Sequence, residues 1–400
     1  MIYRAKRWVL WTFLGMLFAG GLLNGTAPAK TIIVPVDALT INGAVALADE
    51  GDVIEVQAGQ TCTENVVLKA GVSLVSSSPD ITLIQAASSA LPVISLPQGD
   101  QEGSNLVTEI RGFKISGGSI GIKIDAGDPN DLFKKIQVII SGNWITDNDS
   151  TGIDVQTKLG GPHWIVNNLV THHRDAGITV NSPSHVVNNT VDQNGFPGDG
   201  GSRIATGINF ANDNASGSTL FNNNVTNNEG DGLFVLSIPG VLEVDVSPIE
   251  ANNFWGNGGL NANTPDDVFA GGQNISENPQ YSQAGPVTPF DYMPLSSSPC
   301  LDRGVNSALD LGRFSLDLTQ SPGGRVYPTD GTIDIGAVEY NPHPFGQVTP
   351  TSTPTRTPTP TVTPLETRIA DLNRDGYIND SDLFILQQQW HSITPTPSNP

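Results

Sequence analysis

The stretch from Asn143 to Asn257 repeats one short phrase, and nothing else in the chain constrains its fold as strongly. Asn143-Trp-Ile-Thr-Asp-Asn148 is followed by Gly152-Ile-Asp-Val, and Asn167-Asn168-Leu-Val by Gly177-Ile-Thr-Val. Asn188-Asn189-Thr-Val leads to Gly207-Ile-Asn-Phe, Asn223-Asn224-Val-Thr leads to Gly232-Leu-Phe-Val, and Asn252-Asn253-Phe-Trp closes the series. Successive phrases begin roughly 21 to 35 residues apart, the spacing of a repeat architecture rather than of one folded unit. Each phrase holds two short alternating apolar runs separated by a Gly or Asn pair. That reads as strand, tight turn, strand, with no helix-period segment between.

A coil of this kind cannot bury its apolar face alone, so the next coil must cover it, about 4.8 Å further along. A residue at one place in the coil then sits above its own kind. Val, Ile and Leu supply the dry interior. Asn recurs at the turns because it tolerates the left-handed backbone conformation and its amide can bond to the amide stacked above it. The expected fold is all-β, a right-handed parallel β-helix.

Ahead of the repeats, residues 1–29 read as a secretory signal: Arg4, Lys6 and Arg7, an apolar run from Val9 to Leu23, and Ala27-Pro-Ala29 as a cleavage site. No second hydrophobic span follows, so export without a membrane span in the mature chain is expected. Thr31-Ile-Ile-Val predicts a strand and Asp37-Ala-Leu-Thr40 opens a short helix through Ala48, with Leu39, Ile41, Val45 and Leu47 on its apolar side. Asp49-Glu-Gly-Asp-Val-Ile-Glu-Val returns to strand, and Thr63-Glu-Asn-Val-Val-Leu, Gly71-Val-Ser-Leu-Val and Ile81-Thr-Leu-Ile continue it. This opening resembles the start of many extracellular β-helix proteins, where a helix caps the first coil. Tyr292-Met-Pro-Leu, Ser298-Pro-Cys-Leu-Asp302-Arg-Gly304 and Asp334-Ile-Gly-Ala-Val-Glu-Tyr340 resemble the closing segment of bacterial exported β-helix repeat proteins. The resemblance is to the pectate-lyase-like superfamily, and it implies a parallel β-helix over 30–342.

The formal charge of -21 argues against nucleic acid and anionic membranes as partners. Cys62 and Cys300 could pair in an oxidising compartment, but they stand near opposite ends of the expected stack, and two buried thiols are the favoured reading.

Residues 343–366 are Thr/Pro-rich and predict an extended spacer. Beyond it, over 367–392, Asp371, Asn373, Asp375, Tyr377, Asn379 and Asp382 occupy positions 1, 3, 5, 7, 9 and 12 of an EF-hand loop, with Gly376 at the sharp turn. Hard oxygens at that spacing, with the Tyr377 carbonyl at position 7, point to calcium. Leu383, Leu386 and Trp390 give the following helix an apolar side. With Asp382 in place of the usual Glu and no entering helix, the segment resembles a single repeat of a type I dockerin, whose family carries two. That resemblance implies a cohesin-like scaffold as partner, with Asp380 and Ser381 at the positions the family uses for partner choice. Residues 393–400 read as a disordered tail.

Enzymes of the β-helix superfamily act on polysaccharides in a groove along the outer strands. The polygalacturonase pattern is missing: there is no Gly-His-Gly, Arg203-Ile-Ala lacks the following lysine, and Asp266-Asp267 lies outside the repeats. His172, His173, Arg174 and Asp175, at a turn between strands, form the best candidate substrate-binding cluster. Asp149, Asp154 and Lys158 precede it by one coil, and Asp192, Asp199 and Arg203 follow it. The favoured function is an exported, non-catalytic polysaccharide-binding or matrix protein with a calcium-dependent tail. The alternative is a lyase or glycoside hydrolase on acidic polysaccharide.

Overall fold

The structure, a computed structural model, describes residues 29–76, 82–97, 106–125, 136–157, 161–195, 205–238, 242–271, 273–283, 288–306 and 332–340. The chain divides into two units, Met1–Pro342 and His343–Pro400, and every described residue belongs to the first. The signal, the linker and the calcium loop lie outside the described residues.

The repeats build a right-handed parallel β-helix. Three sheets run its length, of nine, eight and eight strands among the described residues, and each coil visits them in the same order. We name them A, B and C in the order the chain meets them: Val53–Val56, Thr61–Thr63 and Val66–Val67 are the first full set. The last set is Val246–Glu250, Asn253–Trp255 and Ala262–Asn263. Like side chains stack as expected. Ile54, Leu74, Ile110, Ile140, Ile165, Val186 and Leu220 are register partners down the inside of sheet A and all are buried. Each such side chain contributes about 1.5–3 kcal/mol of burial.

The two corners beside sheet B divide the work that the sequence assigns to Asn in general. At the A-to-B corner the left-handed residue is Gly112, Gly142, Asn167, Asn188, Asn222 or Ala251, with φ between 53° and 85°. The residue after it carries the ladder. Asn143, Asn168, Asn189, Asn223, Asn252 and Asn274 each receive, on Oδ1, the backbone N–H of the preceding rung, and from Asn168 onward its Nδ2 as well. At the B-to-C corner the left-handed residues are Gly117, Asp147, His172, Gln193, Asn227 and Gly256. A second ladder follows one residue later. The Gly of the Gly-Ile-x-Val phrase has no room for a side chain: a Cβ on Gly207 would meet Val225 Cγ1, stand 2.6 Å from the Gly232 carbonyl oxygen and 2.8 Å from Asn228 Nδ2, and one on Gly177 would meet Val191 Cγ1, the Gly207 carbonyl oxygen and Asn194 Nδ2 in the same way.

The cap differs from expectation in detail. The helix is Ile41–Leu47, with Thr40 as its N-cap accepting from the Gly43 N–H at 3.0 Å. Its buried face is Ile41, Ala44 and Val45, whereas Leu39 is 87% and Leu47 56% exposed. Asp37 does not enter the helix, because its carboxylate accepts from the Ile33 N–H at 2.8 Å and closes a turn. The strand expected from Thr63 breaks at Glu64, whose carboxylate takes the orphan N–H groups of Ile41 and Asn42 at 2.8 and 2.9 Å.

Cys62 lies on the first strand of sheet B and Cys300 packs beside Asn253 on its last, so both are free. Cys300 is buried and its thiol is pushed up to about 12 by burial; Cys62 is only half-buried, a correction to the expectation of two buried thiols. Iodoacetamide is expected to label Cys62 in the native protein and Cys300 only after unfolding, read by peptide mass. Native labelling of Cys300, or a cross-linked peptide, would contradict this placement.

Candidate functional site

The outer surface of the coil is the place for chemistry, and its three faces differ. Sheet B is covered by the chain itself at Trp144, Leu169 and Thr190. Tyr292 and Val338, returning after the last coil, pack on Trp144 and Leu169. The Ala337 N–H donates to Thr190 Oγ1 at 2.9 Å, and Asn188 Nδ2 donates to the carbonyls of Asp334 and Gly336 at 3.2 and 3.3 Å. Beneath this return lies Asp192, 0% exposed. Its Oδ1 accepts from Thr226 Oγ1 at 2.6 Å and Asn227 Nδ2 at 2.8 Å, its Oδ2 from Gln193 Nε2 at 2.8 Å and Tyr292 Oη at 3.0 Å. Burial raises the Asp192 carboxyl above its ordinary range. All four donors belong to the protein, so this carboxyl fastens the return in place.

The cluster His172 to Asp175 sits on the B-to-C corner, and its members part company. His172 holds the left-handed turn position with φ 58°. His173 is 1% exposed and turned into the interior, where it is a rung of the second ladder. Its Nδ1 accepts from the Asn148 N–H at 3.3 Å, its Nε2 stands 3.2 Å from the Ile145 carbonyl, and its own N–H donates to Asn194 Oδ1 at 3.1 Å. Burial depresses this imidazole to about 3, so it stays neutral. Arg174 is exposed, and Asp175 is half-buried, accepting from Ser150 Oγ at 2.7 Å. The acids of the neighbouring coils are spread out: Asp149 on the corner, Asp154 on sheet C, Asp192 on sheet B. Lys158, Asp199 and Arg203 lie outside the described residues.

Sheet C carries a continuous outward row that is largely polar. The third residue of each Gly-Ile-x-Val phrase faces outward, and register pairing stacks Ser95, Lys123, Asp154, Thr179, Asn209, Phe234 and Asn263 in one row. Asp154 is 7% exposed and burial raises its carboxyl, while Gln156 Nε2 donates to its Oδ1 at 2.7 Å. Lys123 pairs with Asp125 at 2.8 Å. The carbonyl oxygens of Asn209 and of Asn181, next to the row, are enclosed and have no hydrogen-bond partner. Apart from Asp154, sequence reading did not single out this row, although the variable third position of the phrase marks it.

At the end of the stack a cleft of about 510 Å³ is lined by Asp245, Glu250, Asp266 and Asp267, among others. Asp267 is engaged by the Phe269 N–H at 3.0 Å. Among the described residues, no three His, Cys, Asp or Glu side chains stand together as a metal site, and no helix is long and apolar enough to cross a membrane.

No family model and no curated protein matches the sequence. Among solved structures, the chain is similar to pectate lyase Pel9A, with a TM-score of 0.39 and 11% identity, covering 79% of this chain and 98% of that one.

Proposed function

We propose that the protein is an exported β-helix that holds polysaccharide along the outer row of sheet C without cleaving it, and is tethered through its C-terminal loop. The observation that carries this reading is the row itself. Hydroxyl, amide, carboxylate and aromatic groups repeat at the strand spacing, the composition by which proteins hold a linear sugar chain. Sheet B, among the described residues, is fastened under its own return segment at Trp144, Leu169, Thr190 and Asp192. The non-catalytic part of the reading is supported by the scatter of Asp149, Asp154, Asp175 and Asp192 over a corner and two faces.

One observation favours a hydrolase instead. Asp154 and Asp125 lie in adjacent coils in different environments, the first enclosed and raised by burial, the second paired with Lys123. Two carboxyls so distinguished could serve as acid and base. Full-length protein and a polysaccharide panel distinguish the readings by gel retardation, new reducing ends and unsaturated-sugar absorbance. Retardation without product is expected. Reducing ends without unsaturated-sugar absorbance, lost in Asp154→Asn, would establish a hydrolase with Asp154 in the site, and absorbance gain would establish a lyase.

For the tail, the oxygen donors Asp371, Asn373, Asp375, Asn379 and Asp382, with the Tyr377 carbonyl, fit calcium, and cohesin-like attachment is the role proposed for it. Calorimetric titration of the full chain is expected to show one saturable calcium site that Asp371→Ala with Asp375→Ala abolishes. An unchanged titration in that variant would remove the loop from the proposal.

A further inference from the structure

We infer that the polysaccharide held on sheet C is a neutral, hydroxyl-rich chain and that polyuronates are rejected. This deepens the proposed binding role and rests on it. Three features of the row point the same way.

The first is charge. Lys123 is the one cation in the row, and Asp125 already occupies it at 2.8 Å. Asp154, the register partner of Lys123 in the next coil, shares that single cation with Asp125, so the two carboxyls outnumber it. A polyuronate brings one carboxylate per sugar at nearly the strand spacing, so each step along the row would meet negative charge or no charge. The chain as a whole, at -21, adds to the repulsion.

Hydrogen-bond chemistry is the second. Asn181 and Asn209 each hold an enclosed carbonyl oxygen with no donor. An unmade bond of this kind is costly, and a half-turn of the amide brings its oxygen to the surface. Sugar hydroxyls donate and accept, so they satisfy an amide in either orientation and also donate to Asp154. An ionised uronate group only accepts, so a polyuronate offers these oxygens fewer donors per sugar than a neutral chain does.

The third is Phe234, half-buried and the register partner of Asn209. An aromatic beside an amide offers a flat apolar surface to the C–H face of a pyranose while the amide takes its rim hydroxyls.

The test is affinity electrophoresis of the full chain at about 0.1 M salt, where surface charge is screened beyond about 10 Å. Soluble β-glucans and mannan are compared with polygalacturonate and alginate, with calcium and again with chelator. Neutral chains are expected to bind at least about tenfold tighter in both conditions. Asn209→Ala and Thr179→Ala, each checked by circular dichroism, should weaken neutral binding severalfold. Asp154→Asn should raise polyuronate binding and so narrow the gap. Equal or stronger binding of polyuronates would overturn the inference and leave sheet C as a polysaccharide surface. Full neutral binding in both folded variants would also overturn it. Binding of neither class would remove the underlying proposal as well.

Discussion

Asn189→Ala is expected to lower the unfolding free energy by about 3–5 kcal/mol, from two or three buried groups orphaned at about 1–3 kcal/mol each. Asn189 Oδ1 receives both the N–H and the Nδ2 of Asn168 at 3.0 Å, and its Nδ2 donates to the Ile165 carbonyl at 2.8 Å and to Asn223 Oδ1 at 2.9 Å. Alanine removes acceptor and donor together and breaks the ladder in its middle. The adjacent residue type does a different job one coil earlier. Asn167 holds φ at 55°, and its side-chain oxygen has no partner, so Asn167→Gly relieves the backbone and is expected to shift stability by no more than about 1 kcal/mol. Urea unfolding followed by circular dichroism checks both. Similar losses for the two variants would mean that turn and ladder are not separate roles.

His173→Asn is expected to leave stability near neutral pH almost unchanged and to make the protein markedly more resistant to acid. The substitution restores the residue type found at every other rung from Asn148 to Asn257, with an oxygen to receive the Asn148 N–H. The unfolded chain protonates a histidine below about 6.5, whereas folded His173 stays neutral down to about 3. Its contribution is therefore complete above about pH 6.5 and drains as pH falls toward 3. His163, depressed to about 4 by burial near Thr157 and Ser182, behaves the same way. Asp154 and Asp192, raised by burial, have the opposite sign: they favour the fold at low pH and lose that contribution as pH rises through their folded-state values. Wild type and variant share all three groups, so their difference isolates His173. At pH 5, about 1.5 units below the unfolded value, the variant should gain about 2 kcal/mol relative to its offset at pH 7. A variant as acid-sensitive as wild type would contradict the ladder role.

The stack was legible because its signals are local and periodic. Apolar alternation gives the inside of each sheet, and the Gly-Ile-x-Val phrase gives sheet C. The role of His173 was also written in the spacing. It follows Asn168 by five residues, as Asn148 follows Asn143, Asn194 follows Asn189, Asn228 follows Asn223 and Asn257 follows Asn252. The charged run His-His-Arg-Asp drew attention to chemistry and away from that register. Other features had no local signal. Glu64 interrupts a β-prone run because a helix N-terminus elsewhere needs its carboxylate, and Asp192 is buried because Tyr292, 100 residues later, covers it. Such contacts depend on where the chain returns, which no short window of sequence contains.

The most direct test of sheet C as the ligand surface is hydrogen exchange of the full chain with and without its tightest-binding polysaccharide. Slowed exchange is expected in Ile122–Ile124, Ile153–Val155, Ile178–Val180, Ile208–Phe210 and Leu233–Val235, with Trp144–Thr146, Leu169–Thr171 and Thr190–Asp192 on sheet B unchanged. Slowing confined to sheet B, or to the corner from His172 to Asp175, would place the ligand elsewhere and contradict the assignment.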